Sequence, residues 1–293
     1  MTEDFMTALP PIIPHFSTLA PDYDVILSDV WGVVHNGLRS FHEPCDALMR
    51  ARARGAAVVL ITNAPRPNDA VIRQIDRLHV PHEVYDALVS SGDVTRDAIR
   101  SRPGQTIFHV GPERDHSIFA GLDLRFAPLA SADYVVCSGL FDDEKETPDD
   151  YRERLAAMLK RKLFMLCGNP DVVVERGDRL VYCAGAIADM YASMGGEVLY
   201  AGKPYRPIYE LALAKAEASL GRKADPRRVL AIGDSVRTDL AGAHAFGVDC
   251  LFVTAGIHAE ELGSREHPEA HAIGGLFAAA GQLPKAVMRQ LMW

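Results

Sequence analysis

Four short polar clusters carry residue types that can do chemistry, and each stands at the end of an apolar run. Asp29-Val30-Trp31-Gly32-Val33 follows the run 24–27, and Thr62-Asn63 follows the run 57–61. Gly202-Lys203-Pro204 follows 198–201, and Gly233-Asp234-Ser235-Val236-Arg237-Thr238-Asp239 follows 229–232. The set offers two or three carboxylates, an ammonium and a hydroxyl. At one edge of a parallel sheet, where open α/β sheets bind ligands, such carboxylates repel one another unless a cation lies among them. The ammonium in turn calls for an anion. Mg²⁺ with a phosphoryl group meets both demands, because Mg²⁺ takes one or two carboxylates, waters and phosphate oxygens. A single Asp at a strand end is commonly a turn or helix cap, so the ordered set carries the argument.

Other site patterns fail. No Gly-x-Ser-x-Gly elbow occurs, no Gly-x-Gly-x-x-Gly follows a strand, and Gly202-Lys203 precedes Pro204 where a P-loop needs Ser or Thr. His267 and His271 stand four apart with no third ligand nearby and read as a surface pair.

The elements that must position the clusters are short β-branched runs alternating with amphipathic stretches, the pattern of parallel sheets covered by helices. The fold class is α/β, a Rossmann-like three-layer core with a parallel sheet and an inserted α/β cap. Runs 24–27 and 57–61 read as buried strands that deliver polar residues at their C-terminal ends. The stretch 43–54 has helical composition, and Val71, Ile72, Ile75 and Leu78 form one helical face. Further runs lie at 106–110, 134–137, 163–167, 198–201, 229–232 and 250–253. Residues 1–90 and 197–293 are expected to form one core sheet, and 91–196 a separate cap, with Tyr151, Leu155, Met158 and Leu159 on one of its helical faces. The acidic stretch 142–150 reads as a solvated loop and helix N-terminus.

In order and spacing the four clusters resemble the motifs of the haloacid dehalogenase (HAD) superfamily of aspartate-nucleophile phosphatases. Gly32-Val33, Gly37 and Glu43-Pro44, together with an α/β insertion between Thr62 and Lys203 and the segment Gly168-Asn169-Pro170-Asp171, resemble its class IIA, the sugar-phosphate and nucleotide-phosphate phosphatases. The resemblance implies that Asp29 attacks phosphorus to form an aspartyl-phosphate. It implies that Asp29, the Trp31 carbonyl and Asp234 hold Mg²⁺, that Lys203 and Thr62 serve the phosphoryl oxygens, and that Asp239 orients Lys203 or a metal-bound water. Asn63, Arg66, Asn169 and Asp171 are the candidate substrate-binding residues, with Asn63 also a loop-fixing residue; Arg237 is a further candidate for an anionic substrate.

The chain departs from the family pattern at Trp31. The family's phosphatases usually carry there a second Asp that protonates the leaving group and activates water, and an indole does neither. His35, in the same loop and with an ordinary pKa near ~6.5, is the candidate surrogate acid. Relatives without an acid at this position cleave carbon–halogen or carbon–phosphorus bonds. Two alternatives therefore stand beside the phosphatase: a dehalogenase-like hydrolase using Asp29 on carbon, and a catalytically weak phosphometabolite-binding or regulatory protein. Asp234 argues against a metal-free dehalogenase.

Composition narrows the classes further. The 293 residues, 48% hydrophobic, can build a sizeable core without staples. A net charge of −8 without a long Lys/Arg run lacks the footprint of a nucleic-acid binder. The five cysteines (45, 137, 167, 183 and 250) are far apart among apolar neighbours and read as buried reduced thiols. The acidic start MTEDF and the lack of a long apolar run point to a cytoplasmic protein with no membrane partner. The expected partner is a small phosphorylated metabolite, and the sequence is compatible with a homodimer.

Overall fold

The computed structural model describes residues 9–176 and 179–293. The chain begins with β1 (Val25–Asp29), α1 (His42–Ala53), β2 (Ala57–Thr62), α2 (Asn68–Arg77), β3 (Ala87–Ser90) and α3 (Ser91–Arg100). It continues through β4 (Thr106–Val110), β5 (Arg125–Phe126), β6 (Tyr134–Cys137), α4 (Arg152–Lys160), β7 (Met165–Cys167), β8 (Val173–Arg176) and β9 (Arg179–Tyr182). After α5 (Ala184–Ser193) and β10 (Val198–Tyr200) come α6 (Arg206–Leu220), β11 (Val229–Gly233), α7 (Ala241–Phe246), β12 (Asp249–Val253), α8 (Ala270–Ala280) and β13 (Ala286–Met288).

Two compact units result, one comprising residues 1–61, 75–88 and 209–293, the other 62–74 and 89–208. The first is built on a six-stranded sheet of order β13-β12-β11-β1-β2-β3. Every residue of β1, β2 and β11 is buried, so both faces of the sheet are covered, as their unbroken apolar runs require. β1 pairs in parallel with β2 on one side and β11 on the other. The chain winds outward from β1 through β2 and β3, then returns to β11 and winds the other way. The order thus reverses between β1 and β11, and the carboxyl ends of strands at such a switch point are where open α/β sheets bind ligands. Beyond β11, Phe252, Leu240, Ile273 and Phe277 pack a core under β12 and α8.

The second unit holds a five-stranded sheet of order β10-β7-β6-β4-β5, all pairs parallel, and the antiparallel hairpin β8–β9. Val198–Tyr200, expected in the core sheet, pairs here with Met165–Cys167 instead. A short apolar run does not identify its partner. Both neighbours of β1 are already supplied by β2 and β11, and the half-exposed Leu199 (43%) marks β10 as an edge strand. Gly202 and Lys203 accordingly follow a strand of the second sheet. Of the face expected from the periodicity, Tyr151, Leu155 and Met158 are buried and Leu159 packs against them partly buried.

Local signals explain the boundaries. Ser90 caps α3 by accepting from Asp93 N while Asp93 Oδ2 accepts from Ser90 N at 3.0 Å, a capping box legible as Ser-x-x-Asp. Within 142–150, Thr147 and Asp150 form the same device ahead of α4, so this acidic run is a loop and helix start. All five cysteines are buried and outside any disulfide, and burial pushes the Cys45 thiol up to about 11 and Cys137 to about 12. Among the described residues no helix is long and apolar enough to cross a membrane.

Candidate active site

In the first unit, β1 ends at Asp29, and Ser28 Oγ donates to the Asp29 carbonyl oxygen at 2.9 Å. β11 ends at Gly233, so Asp234 follows the neighbouring strand at the switch point. Asp239 lies in a π-helical turn, Val236–Leu240, where Ser235 O accepts from both Asp239 N and Leu240 N, at 3.0 and 3.1 Å. Such widened turns are frequent at functional sites. The three carboxylates are buried at 7, 5 and 3% exposure, and each offers an oxygen so placed that all three lie within 4.8 Å of one another. A metal ion fits this donor set, since buried hard oxygens of like charge attract a hard cation and repel each other without one.

Glycines make the room. A β-carbon on Gly233 would overlap the Asp239 carboxyl group, and one on Gly32 or Gly256 would overlap Asp234 Oδ2. Gly32 also has φ +86°, which favours glycine on its own account. Asp234 Oδ2 accepts from Ile257 N at 2.8 Å, and Asp239 Oδ2 from Ser235 N at 3.2 Å.

Trp31 begins a tight loop in which Gly32 N donates to His35 O at 2.8 Å. Its indole stands edge-on to the His35 ring, centroids 5.0 Å apart, and a β-carbon on Gly37 would lie 2.6 Å from it. His35 is buried, its Nδ1 accepts from Gly37 N at 2.9 Å, and burial lowers its pKa to about 4. The ring is therefore neutral at pH 7 and engaged in holding the loop.

The second unit gathers the other candidates around Asn63. Its Oδ1 accepts from Lys203 N at 2.7 Å, while Nδ2 donates to Lys203 O at 3.1 Å and to Asp171 Oδ1 at 2.9 Å. One amide thus pairs with both backbone groups of Lys203 and ties Lys203 to Asp171. Asn169 Oδ1 accepts from Asp171 N at 3.1 Å, the Asx turn that shapes Gly168–Asp171. Thr62, buried at the end of β2, is one residue past Ile61, the register partner of Asp29, and its Oγ1 accepts from Ala64 N at 3.2 Å. Arg66 Nη2 donates to Gln74 Oε1 at 2.7 Å, and Ser90 Oγ to Arg66 O at 2.6 Å.

Some positioning residues escaped the sequence reading. Ser91 is fully buried, its hydroxyl set against the carbonyl oxygens of Gly168 and Ala201. A β-carbon on Gly202 would lie 2.6 Å from Asn63 Oδ1. Gly256 and Ile257 follow the buried strand β12, the strand-end position that singled out the other clusters, and that was the available signal.

The sequence profile of haloacid dehalogenase-like hydrolases matches residues 26–125, and a HAD-hydrolase-like profile matches 200–276. A D-glycerol 3-phosphate phosphatase of Mycobacterium tuberculosis is 25% identical over 244 residues, 82% of this chain, and the chain spans 65% of that relative's length. A p-nitrophenyl phosphatase from Archaeoglobus fulgidus shares the fold at 22% identity, with a TM-score of 0.69 over 92% of this chain and 97% of its own. A haloacid dehalogenase-like hydrolase from Brucella suis 1330 is 45% identical, with a TM-score of 0.86 over 96% of this chain and all (100%) of its own. With identity at that level along the full length of a member, the chain belongs to the haloacid dehalogenase-like family of hydrolases.

Proposed function

We propose that this chain is a Mg²⁺-dependent phosphatase of the class IIA type that hydrolyses a small phosphorylated metabolite through an aspartyl-phosphate. The observation that carries this reading is the buried triad of Asp29, Asp234 and Asp239, with ligand oxygens within 4.8 Å. Asp29, the Trp31 carbonyl and Asp234 would hold the ion. When bound, Mg²⁺ supplies charge neutralisation between a carboxylate nucleophile and an anionic phosphate.

Asp29 forms a P–O bond as the bond to the leaving oxygen breaks, and water then cleaves the acyl phosphate, returning the carboxylate and releasing inorganic phosphate. The Lys203 ammonium balances the charge of the phosphoryl oxygens, and Thr62 donates to one of them. The bond from Ala64 N to Thr62 Oγ1 occupies an acceptor position and leaves the hydroxyl proton directed elsewhere. Asp239 would orient Lys203 or the attacking water. Trp31 takes the place of the family's second Asp and supplies no proton, so leaving groups that depart as stable anions are the favoured ones.

The second unit, residues 62–74 and 89–208, serves as the cap, and Asn169, Asp171, Asn63 and Arg66 select the substrate. The activities of the glycerol 3-phosphate and p-nitrophenyl phosphate relatives support a phosphomonoester as the substrate class. A dehalogenase-like reaction gains nothing from Mg²⁺, so a carboxylate cluster suited to an ion favours the phosphatase over that alternative. The test is phosphate release from a panel of phosphorylated metabolites with and without Mg²⁺. Turnover confined to Mg²⁺ supports the reading, while tight binding without turnover points to a regulatory protein.

A further inference from the structure

Two loops of the first unit are laced together in both directions. From the loop after β12, Ile257 N donates to Asp234 Oδ2 at 2.8 Å. In return, Val236 N, the first amide of the π-helical turn, donates to His258 Nε2 at 3.4 Å. The other ring nitrogen of His258, Nδ1, lies 2.8 Å from Glu261 Oε2. A carboxylate only accepts, so Nδ1 carries the proton and Nε2 presents its lone pair to Val236, a single tautomer that satisfies every contact. The ring also rests beside Phe252, centroids 6.2 Å apart, which fixes its plane against the core.

Val236 stands between Asp234 and Asp239, and its amide is one of the orphan donors that open any helical turn. Ser235 N is already taken by Asp239 Oδ2. His258 therefore supplies the acceptor for the next amide along and anchors the backbone from which both carboxylates project.

We infer that His258, oriented by Glu261, is a positioning residue for the acidic triad and sets its affinity for a divalent cation. The inference rests on the metal-binding reading above and adds to it a residue pair outside the ligand set. Groups that orient ligands from behind typically change metal affinity ~10- to 100-fold when removed.

The test is titration of the metal-free protein with MgCl₂ by isothermal calorimetry, for wild type, His258→Ala, His258→Gln and Glu261→Ala, with Tm measured alongside. Wild type should bind, His258→Ala should bind ~10-fold or more weakly, and Glu261→Ala should fall between them. Gln carries a carbonyl oxygen at about the reach of Nε2, so His258→Gln should recover most of the loss, a rescue that a bulk packing role does not predict. Glu261 is largely exposed, so Glu261→Ala carries the test even where His258→Ala folds poorly. Equal affinity in wild type and both alanine variants overturns the inference, as does a His258→Gln variant no better than His258→Ala. A wild type that does not bind Mg²⁺ overturns the metal reading itself.

Discussion

Gly256 and the Asp234 carboxylate are in direct apposition: a β-carbon on the glycine would occupy the place of Asp234 Oδ2. Gly256 is not among the positive-φ glycines, whereas Gly32, on another side of the same oxygen, has φ +86°. Only at Gly256 can the contact be altered without also straining the backbone.

Gly256→Ala should therefore leave the sheet intact while displacing Asp234 and breaking its bond from Ile257 N. The expected outcome is a loss of Mg²⁺ affinity of ~10-fold or more with a near-native circular dichroism spectrum. Unchanged affinity would mean that Asp234 is not held by this niche.

Asn63 offers a second test, because its amide meets Lys203 N, Lys203 O and Asp171 Oδ1 at once. Asn63→Asp keeps the acceptor but loses the donor and sets a second carboxylate against Asp171. Urea denaturation at pH 7 should show a loss of at least about 1–3 kcal/mol, the cost of stranding a buried acceptor. Wild-type stability in that variant would contradict the assigned orientation of the amide.

These two sites show how far the residues speak before the fold is known. Asp29, Asp234 and Asp239 stood out because each ends or follows a run buried on both faces, and a strand end in a parallel sheet is where polar residues meet ligands. The helical face of Tyr151, Leu155 and Met158 was legible from its period. The partner of Val198–Tyr200 was not, since pairing depends on which neighbours are already taken. Nor was the pairing of Asn63 with the Lys203 backbone, 140 residues away, because a side chain bonded to a distant main chain leaves no local spacing to read. The glycine niche around Asp234 was hidden for the same reason.

Asp115 makes the stability of the protein depend on pH. Burial raises its carboxyl from the ordinary 3.8 to about 6, against the opposing effects of Ser138 and nearby arginines. Between those values the folded state keeps a proton that the unfolded chain has released, so stability falls as pH rises through this window. The integrated loss is on the order of 3 kcal/mol by pH 7. Asp115→Asn, neutral throughout, should be more stable than wild type at pH 8 and equal to it at pH 4 in urea melts. An advantage that does not change with pH would rule out titration as its source.

Leaving-group dependence follows from Trp31. With no acid at that position, aryl or acyl phosphates should turn over faster than alkyl phosphates by a factor within the ~10² to 10⁴ that general acid catalysis contributes. Trp31→Asp should raise alkyl turnover more than aryl turnover. His35→Ala should lower Tm, because Gly37 N loses its acceptor, and should leave the aryl-to-alkyl ratio unchanged. A fall in alkyl turnover alone would assign His35 as the acid.

The most direct measurement is hydrolysis of p-nitrophenyl phosphate by metal-free protein before and after addition of MgCl₂, for wild type and Asp29→Asn. A Mg²⁺-dependent reaction through Asp29 requires that wild type be active only with Mg²⁺ and that Asp29→Asn stay inactive in both conditions, with its fold confirmed by circular dichroism. Wild-type activity that persists in excess chelator, or an Asp29→Asn variant that still releases nitrophenol with Mg²⁺, would contradict it.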